Sequence, residues 1–187
     1  MNTLVEIDVV RQAEAFVRLR FAEQMRGGKI KQPAYNHMRE VAQLVDEAGG
    51  NDDEAAAAWL HDVLEDTKTT LNEIKEIFGP HVAMLVMGLT DPPGIQALEG
   101  VRTVYERKLV QAGRVANEPQ SVKLVKLADQ ISNLRAVRSD PPEEWSKEDI
   151  EQYIRGSLEV CKHCFGISEL LDSYFTEAYE AAERAYA

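Results

Sequence analysis

The segment from residue 61 to residue 67 reads His-Asp-Val-Leu-Glu-Asp-Thr, and its polar side chains could bind a metal and move protons. On a helix, residues four positions apart share a face, so His61 would lie beside Glu65. Asp62 and Asp66 would share the neighbouring face in the same way. Imidazoles and carboxylates are ligands for a divalent ion, and metal-assisted hydrolysis requires further acids beside that ion. The alternative is an acidic, solvated helix face, but apolar residues surround these acids, namely Trp59, Leu60, Val63 and Leu64.

Two further residues could complete a metal site. His37 lies near the start of a predicted helix, where a lone histidine is more often a core or surface group than a ligand. Asp129 lies beside an apolar helix face, and burial of an aspartate is costly unless its carboxylate is paired or bound to a cation. Together the candidates form a set of two imidazoles and two carboxylates with positions left for water: His37, His61, Asp62 and Asp129.

The hydrophobic pattern predicts helices along the chain and no β-alternation of any length. The predicted helices cover residues 4–25, 35–48, a third that Asp52 and Asp53 cap and that carries the acidic segment, 70–79, 80–90, 97–112, 118–138, 147–165 and 168–185. Thr70 and Glu73 match a capping box, and the Pro-Pro pairs after Asp91 and Asp140 predict loops. We therefore expect an all-α protein. No change of composition marks a linker, so residues 1–187 are predicted to form one domain.

Composition and charge narrow the possible partners. The 187 residues carry a formal net charge of −11, which would repel the phosphates of a nucleic-acid duplex. No run approaches the roughly 18 apolar residues that a membrane span needs, and acids near the N-terminus argue against a secretory signal. We therefore expect a cytoplasmic protein with a small-molecule substrate and neither a nucleic-acid nor a membrane partner. The sequence leaves open whether it is a monomer or a homo-oligomer.

Cys161 and Cys164 form a Cys-x-x-Cys pair, which can be a redox pair or half of a zinc site. The chain contains only these two cysteines, so a zinc ribbon cannot be completed, and Phe165 stands where haem attachment needs a histidine. Cys164 would also lie on an apolar stripe within the predicted helix 147–165. Two reduced thiols that line the core are therefore the expected interpretation.

The order of His37, His61-Asp62 and Asp129 resembles that of the HD superfamily of metal-dependent phosphohydrolases. The segments HDVLEDT at 61–67 and KLADQISNLR at 126–135 make the chain most similar to the branch that hydrolyses the alarmones ppGpp and pppGpp. That branch includes the hydrolase domain of RelA/SpoT enzymes and the Mesh1-type small alarmone hydrolases. The likeness covers nearly the whole chain. It implies an orthogonal bundle of helices, which agrees with the helices predicted above.

The resemblance also implies the chemistry of the site. One divalent ion, Mn²⁺ in the family, would be bound by His37, His61, Asp62 and Asp129. This ligand set does not by itself distinguish manganese from iron, zinc or magnesium. Glu65 and Asp66 match the acidic pair that positions and deprotonates the attacking water. The implied reaction removes the 3′-pyrophosphate from ppGpp or pppGpp and gives GDP or GTP.

The chain has only some of the residues with which the family contacts its substrate. Arg26 matches an arginine that flanks the purine, Tyr153 matches a tyrosine that contacts the ribose, and Asn133 is kept. Gly27 stands where Mesh1-type enzymes have lysine, and Asp149 stands where they use an arginine for substrate. Several cations could compensate, although each could equally be an ordinary surface group: Lys29, Lys31, Arg107 and Lys108.

Gln130 also replaces the basic residue that usually follows the metal-binding aspartate. Two alternatives to alarmone hydrolysis therefore stay open. The same metal chemistry could act on another nucleotide, such as a nucleoside monophosphate or NADPH. A non-catalytic nucleotide sensor could also keep the pocket, but it is disfavoured because a pure binder has no need of Glu65 and Asp66 together.

Overall fold

The computed structural model describes residues 8–91 and 103–187. Within these ranges the regular elements are α-helices, with one isolated antiparallel bridge between Met25 and Pro33. The helices are α1 (Val9–Arg20), α2 (Tyr35–Glu47), α3 (Asp52–Leu60), α4 (Val63–Asp66), α5 (Leu71–Leu89), α6 (Val104–Val115), α7 (Gln120–Ser139), α8 (Lys147–Cys161) and α9 (Glu169–Tyr186). The predicted all-α fold is confirmed. None of these helices is long and apolar enough to cross a membrane.

The helix α7 lies at the centre of the bundle. It packs against α2, α3, α5, α8 and α9, and its buried residues run without interruption from Leu124 to Ser132. A continuous buried run covers every side of a helix, so α7 lacks the one-sided apolar stripe of a surface helix. Polar residues on α7, such as Asp129, are consequently forced into the interior, where each needs a hydrogen-bond partner.

The helix α3 is buried almost throughout, from Glu54 to Leu60. Four consecutive alanines, at 55–58, let α1, α2, α5 and α7 pack closely around it. Its N-cap is Asn51, whose side chain accepts from the Glu54 N–H while the Glu54 carboxylate accepts from the Asn51 N–H. The prediction that Asp52 and Asp53 cap this helix is therefore wrong.

The acidic segment at 61–67 does not lie on one continuous helix, contrary to prediction. The helix α3 ends at Leu60 and α4 begins at Val63. The His61 Nδ1 lies 2.7 Å from the Ala58 carbonyl, which is the acceptor that the Asp62 N–H would use in an uninterrupted α-helix. A side chain thus competes for this carbonyl at the turn that separates the two helices.

Other helix limits differ from prediction by a few residues. The helix α1 ends at Arg20 rather than residue 25, because residues 24–34 form a loop closed by two backbone hydrogen bonds, Arg26 N–H to Gln32 and Ala34 N–H to Gln24. Gly79, with φ 87° and ψ 166°, kinks α5 where the prediction placed a boundary. The predicted helix starts at residues 4 and 97, and the predicted loop at 92–94, lie outside the described residues.

Both cysteines line the core, as predicted. Each is fully buried and free of a disulfide, and burial raises the pKa of both thiols, that of Cys164 to about 12. The prediction that both cysteines lie within a helix is correct for Cys161 and wrong for Cys164. Cys161 is the last residue of α8, and Cys164 lies in the turn that follows.

Candidate metal centre and active site

Three separate parts of the fold bring the candidate metal ligands to one point. His37 is the third residue of α2, His61 and Asp62 form the turn between α3 and α4, and Asp129 lies in the middle of α7. These segments meet because α2, α3 and α7 pack against one another. The side chains of His37, His61 and Asp129 are only 3–7% exposed, whereas that of Asp62 is 28% exposed and faces the solvent side of the cluster.

The possible ligand atoms lie at distances expected of neighbours around one ion. The His61 Nε2 is 3.1 Å from the His37 Nε2 and 3.2 Å from the Asp62 Oδ1. The His37 Nε2 is 3.3 Å from the Asp129 Oδ1, and the remaining imidazole–carboxylate distances are 3.8 Å. Around an ion with bonds of about 2.1 Å, ligands at right angles are about 3 Å apart. The four side chains therefore fit a divalent cation, with His37, His61 and Asp129 as the compact group.

The protonation of the imidazoles also suits a cation. The Ala58 carbonyl can only accept, so the His61 Nδ1 donates to it, and in the neutral imidazole the Nε2 carries the lone pair. Burial lowers the pKa of His37 below its ordinary value, which favours the neutral form of that imidazole. A cation between these nitrogens and the two carboxylates would satisfy all of them at once.

The Asp129 carboxylate is kept ionised and held in place by its neighbours. Burial alone would raise the pKa of Asp129, but the Lys126 ammonium at 3.3 Å keeps that pKa well below its ordinary value. The Gln130 side chain donates to Oδ2 at 2.9 Å, and the Asn133 side chain donates to Oδ1 at 2.6 Å. These contacts fix the carboxylate plane, so that Oδ1 faces the imidazoles.

Glu65 and Asp66 follow in α4 and line the same cavity as the cluster, where both stay open to solvent. The Asp91 N–H donates to the Glu65 carboxylate at 2.6 Å. Partial removal from bulk water nevertheless raises the pKa of Glu65 to about 7. The pKa of Asp66 is raised for the same reason, and the negative charge of Asp62 adds to the effect. A carboxyl group that ionises near neutral pH is suited to accept a proton there.

A cavity of about 570 Å³ opens over these groups. Trp145 and Tyr153 form an aromatic part of its wall, with ring centroids 5.0 Å apart. Among the described residues, four cations contribute to the wall beside five acids, and these cations are Arg26, Arg107, Lys108 and Lys126. Aromatic and cationic walls together suit a small molecule that has both a flat ring and negative charge.

The structure brings Arg26, Asn133 and Tyr153, the residues that match the family's substrate contacts, to this cavity. Arg26 donates to the Asn133 side chain at 2.9 Å, and the Tyr153 ring lies 4.1 Å from the Lys108 ammonium. Lys29, by contrast, is exposed and is not part of the cavity wall. Its backbone N–H donates to the Asp140 carboxylate at 2.9 Å.

The departures from the family pattern have local explanations. Asp149 is the third residue of α8 and completes its capping box, because its carboxylate accepts from the Ser146 hydroxyl and N–H. Gln130 is buried and accepts from the Lys108 ammonium at 2.7 Å. An ammonium group from α6 thus reaches the side chain that follows Asp129. Lys108 is buried rather than a surface cation, and burial lowers its pKa to about 8.

Two site residues escaped the sequence analysis. Lys126 lies three positions before Asp129, a helical spacing that could have indicated an ion pair between the two. Asp91 reaches the site through its backbone N–H. No sequence signal marks that contact, because it depends on where the end of α5 meets α4.

Comparisons with known proteins agree with this architecture. The family model of the HD domain matches residues 13–156. A Xenopus tropicalis protein named guanosine-3′,5′-bis(diphosphate) 3′-pyrophosphohydrolase MESH1 is 34% identical over 88% of this chain and 89% of its own length. The Homo sapiens protein of the same name is 33% identical over 86% of this chain and 87% of its own. A solved structure described as a metazoan ortholog of SpoT that hydrolyzes ppGpp superposes with a TM-score of 0.83 at 27% identity, covering 96% of this chain and 97% of that one.

Proposed function

The chain belongs to the HD domain family, and we propose that it removes the 3′-pyrophosphate from ppGpp or pppGpp in a metal-dependent hydrolysis that leaves GDP or GTP. The observation that carries this proposal is the convergence of two imidazoles and two carboxylates beside Glu65, in a cavity with cationic and aromatic walls. The MESH1 relatives, named for this reaction, align with most of the chain. We treat residues 1–187 as one HD-type domain.

We assign His37, His61, Asp62 and Asp129 as the metal ligands and Mn²⁺ as the ion. Support comes from the mixed nitrogen and oxygen donors and from the family likeness, although iron, zinc or magnesium would suit the same donors. A bound divalent ion can lower the pKa of a water to about 7 and offset negative charge on phosphoryl oxygens. Lys126 keeps Asp129 ionised, and Asn133 and Gln130 keep its carboxylate oriented.

In this proposal Glu65 takes the proton from the attacking water. Its pKa of about 7 lets it accept a proton at neutral pH and still release that proton afterwards. The Asp91 N–H holds one carboxylate oxygen, so the other is left to face the cavity. Asp66, next in the chain and open to solvent, would orient the same water by accepting its second hydrogen.

Substrate recognition would use both walls of the cavity. Arg26 would lie against the purine, steadied by Asn133, and Tyr153 would contact the ribose. Lys108 and Arg107 would meet the phosphates, which compensates for the missing charge at Gly27 and Asp149. Lys29 stays a prediction, because it lies on the same loop as Arg26 but outside the cavity wall.

A second candidate function is the hydrolysis of another nucleotide by the same site. The position of Asp149 favours it, because this acid is held at the start of α8 by Ser146, and its pKa is lowered by those hydrogen bonds. Its negative charge acts on Arg107 in the cavity wall, so it would offset part of the attraction of that cation for a substrate with phosphates at both ends. NADPH or a nucleoside monophosphate would then be better accommodated.

Product analysis separates these candidates. The Mn²⁺-loaded protein is incubated with ppGpp, NADPH and deoxynucleotides, and products are identified by anion-exchange chromatography. Release of pyrophosphate and GDP from ppGpp supports the first proposal, whereas turnover of another nucleotide alone supports the second. Binding without turnover would identify a sensor. Asp129→Ala should abolish turnover and Asp46→Ala, on the exposed face of α2, should not. The expected cytoplasmic location stays a prediction.

A further inference from the structure

The His37 imidazole also makes a hydrogen bond through Nδ1, the ring nitrogen that does not face the other ligands. Its Nδ1 lies 2.9 Å from the Ser132 hydroxyl oxygen. That oxygen lies 2.7 Å from the Glu40 carboxylate, and Arg135 donates to the other Glu40 oxygen at 2.9 Å. Helical spacing produces this chain of contacts. Glu40 is one turn beyond His37 on α2, and Ser132 and Arg135 are one and two turns beyond Asp129 on α7.

The position of each proton in this series of hydrogen bonds follows from its outer end, at Glu40 and Arg135. Glu40 faces the Arg135 guanidinium and, as a carboxylate, can only accept. Ser132 has one hydroxyl proton and gives it to Glu40, so its oxygen accepts the proton on the His37 Nδ1. In the neutral imidazole, the His37 Nε2 then carries a lone pair. This is the nitrogen that lies 3.1 Å from the His61 Nε2 and 3.3 Å from Asp129.

We propose that Ser132 and Glu40 are positioning residues that hold His37 in the tautomer and ring orientation needed to bind the cation, with Arg135 fixing Glu40. This proposal rests on the metal-ligand role proposed above for His37. The second histidine is held in the same way by a different group, since the Ala58 carbonyl accepts from the His61 Nδ1. Outer partners of metal-binding imidazoles typically contribute about 10- to 100-fold to metal affinity.

Burial makes this arrangement difficult to replace with water. Ser132 is fully buried and His37 nearly so. Without Glu40, the Ser132 hydroxyl could rotate and donate to the His37 Nδ1, which would move the imidazole proton to Nε2 and block the metal position. Without the hydroxyl itself, the His37 Nδ1 would lose its partner in the core, where an unsatisfied donor is costly. Removal of either group is therefore expected to weaken metal binding.

The test is the dissociation constant for Mn²⁺, measured by electron paramagnetic resonance of the free ion, in the full chain. Ser132→Ala and Glu40→Ala should each weaken binding about 10- to 100-fold. Matched controls are Ser157→Ala, which removes another fully buried hydroxyl, bonded to the Tyr153 carbonyl, and Glu47→Ala, on the exposed side of α2. Both controls should bind Mn²⁺ as the wild type does. His37→Ala serves as the reference for loss of a ligand.

A second measurement reports the tautomer directly. Long-range ¹H–¹⁵N spectra of the metal-free protein should show a proton on the His37 Nδ1 in the wild type and a shift towards Nε2 in Glu40→Ala. Affinities of both variants within twofold of wild type, with His37→Ala impaired, would overturn this inference and leave the proposed function intact. A wild-type protein that binds no ion would overturn the proposed function itself. If Ser132→Ala fails to fold, Glu40→Ala carries the test, because residue 40 is partly exposed.

Discussion

The acids of the cavity differ in how tightly they hold a proton, and their surroundings explain the difference residue by residue. Asp129 faces the Lys126 ammonium, which keeps its pKa well below its ordinary value against the effect of burial. Glu65 accepts from the Asp91 N–H, and partial removal from bulk water raises its pKa to about 7. This difference in pKa suits Asp129 to bind a cation and Glu65 to accept a proton.

The first prediction concerns the proposed base. Glu65→Gln keeps the size of the side chain and removes its capacity to accept a proton, so kcat should fall by about 100-fold or more. The Mn²⁺ dissociation constant should stay unchanged, because Glu65 is not a proposed ligand. Steady-state kinetics and calorimetric titration check the two values. Glu76→Gln, on the exposed side of α5, is the control, and loss of metal in Glu65→Gln would place this residue among the ligands instead.

The second prediction concerns pH. In the metal-free protein, the Glu65 carboxyl should titrate near 7, as measured by ¹³C NMR of the side chain. This folded value lies above the ordinary 4.5, so the folded state holds the proton more tightly than the unfolded state. The resulting contribution to stability is full below about 4.5 and is lost as the pH rises through about 7. Urea titrations of the wild type and of Glu65→Gln should differ in this interval, and a side chain that titrates at 4.5 would refute the assignment.

At the scale of elements, a short irregular segment places Arg26 in the cavity. The loop of residues 24–34 lies against the end of α7, where the Asp140 carboxylate accepts from the Lys29 and Ile30 N–H groups, each at 2.9 Å. Gly28 has φ 116°, and a Cβ there would come within 2.5 Å of the Asp140 side chain. The close approach of loop and carboxylate therefore requires glycine at this position.

The third prediction follows from this anchor. Asp140→Ala removes the carboxylate that accepts from the Lys29 and Ile30 N–H groups, so Arg26 should lose its fixed position and KM should rise about tenfold, with kcat nearly unchanged. Steady-state kinetics with the substrate found by product analysis measures both constants. Glu143→Ala removes a nearby exposed partner of Lys31 and is the matched control. An unchanged KM in Asp140→Ala would show that the loop does not position the substrate.

At the scale of the whole molecule, the candidate metal site joins segments that are far apart in the chain. Its ligands come from α2, the α3–α4 turn and α7, and these elements make up much of the packed centre of the bundle. An ion bound there would bind only the folded state, since the unfolded chain does not hold these groups together. Metal binding and global stability should therefore be coupled.

The fourth prediction measures this coupling. Mn²⁺ at 100 times its dissociation constant should stabilise the fold by about 2.7 kcal/mol. For a chain of this size, that corresponds to a rise in Tm of about 5–10 °C over the protein in EDTA. Calorimetry or circular dichroism on heating gives the value. Asp62→Ala, which alters the most exposed ligand, should remove most of the rise, and an equal rise in that variant would mean that the ion stabilises the protein elsewhere.

The sequence by itself determined the elements and the candidates. The periodic apolar residues predicted most helices correctly, because helix formation depends on spacing that is local in the chain. The types and order of His37, His61, Asp62 and Asp129 indicated metal chemistry before any fold was known. The break between α3 and α4 was not predictable in this way. It involves the hydrogen bond of a histidine side chain to the Ala58 carbonyl, which spacing alone does not reveal.

Only the tertiary structure decided which polar residues meet. Lys29 and Lys108 look alike in the sequence, yet the first lies outside the cavity and the second is buried against Gln130 and Tyr153. The contact between Ser132 and His37 joins residues 95 positions apart. The physical reason is that hydrogen bonds and ion pairs depend on separations of a few ångströms in space, which the packing of α2, α6 and α7 sets and no local pattern encodes.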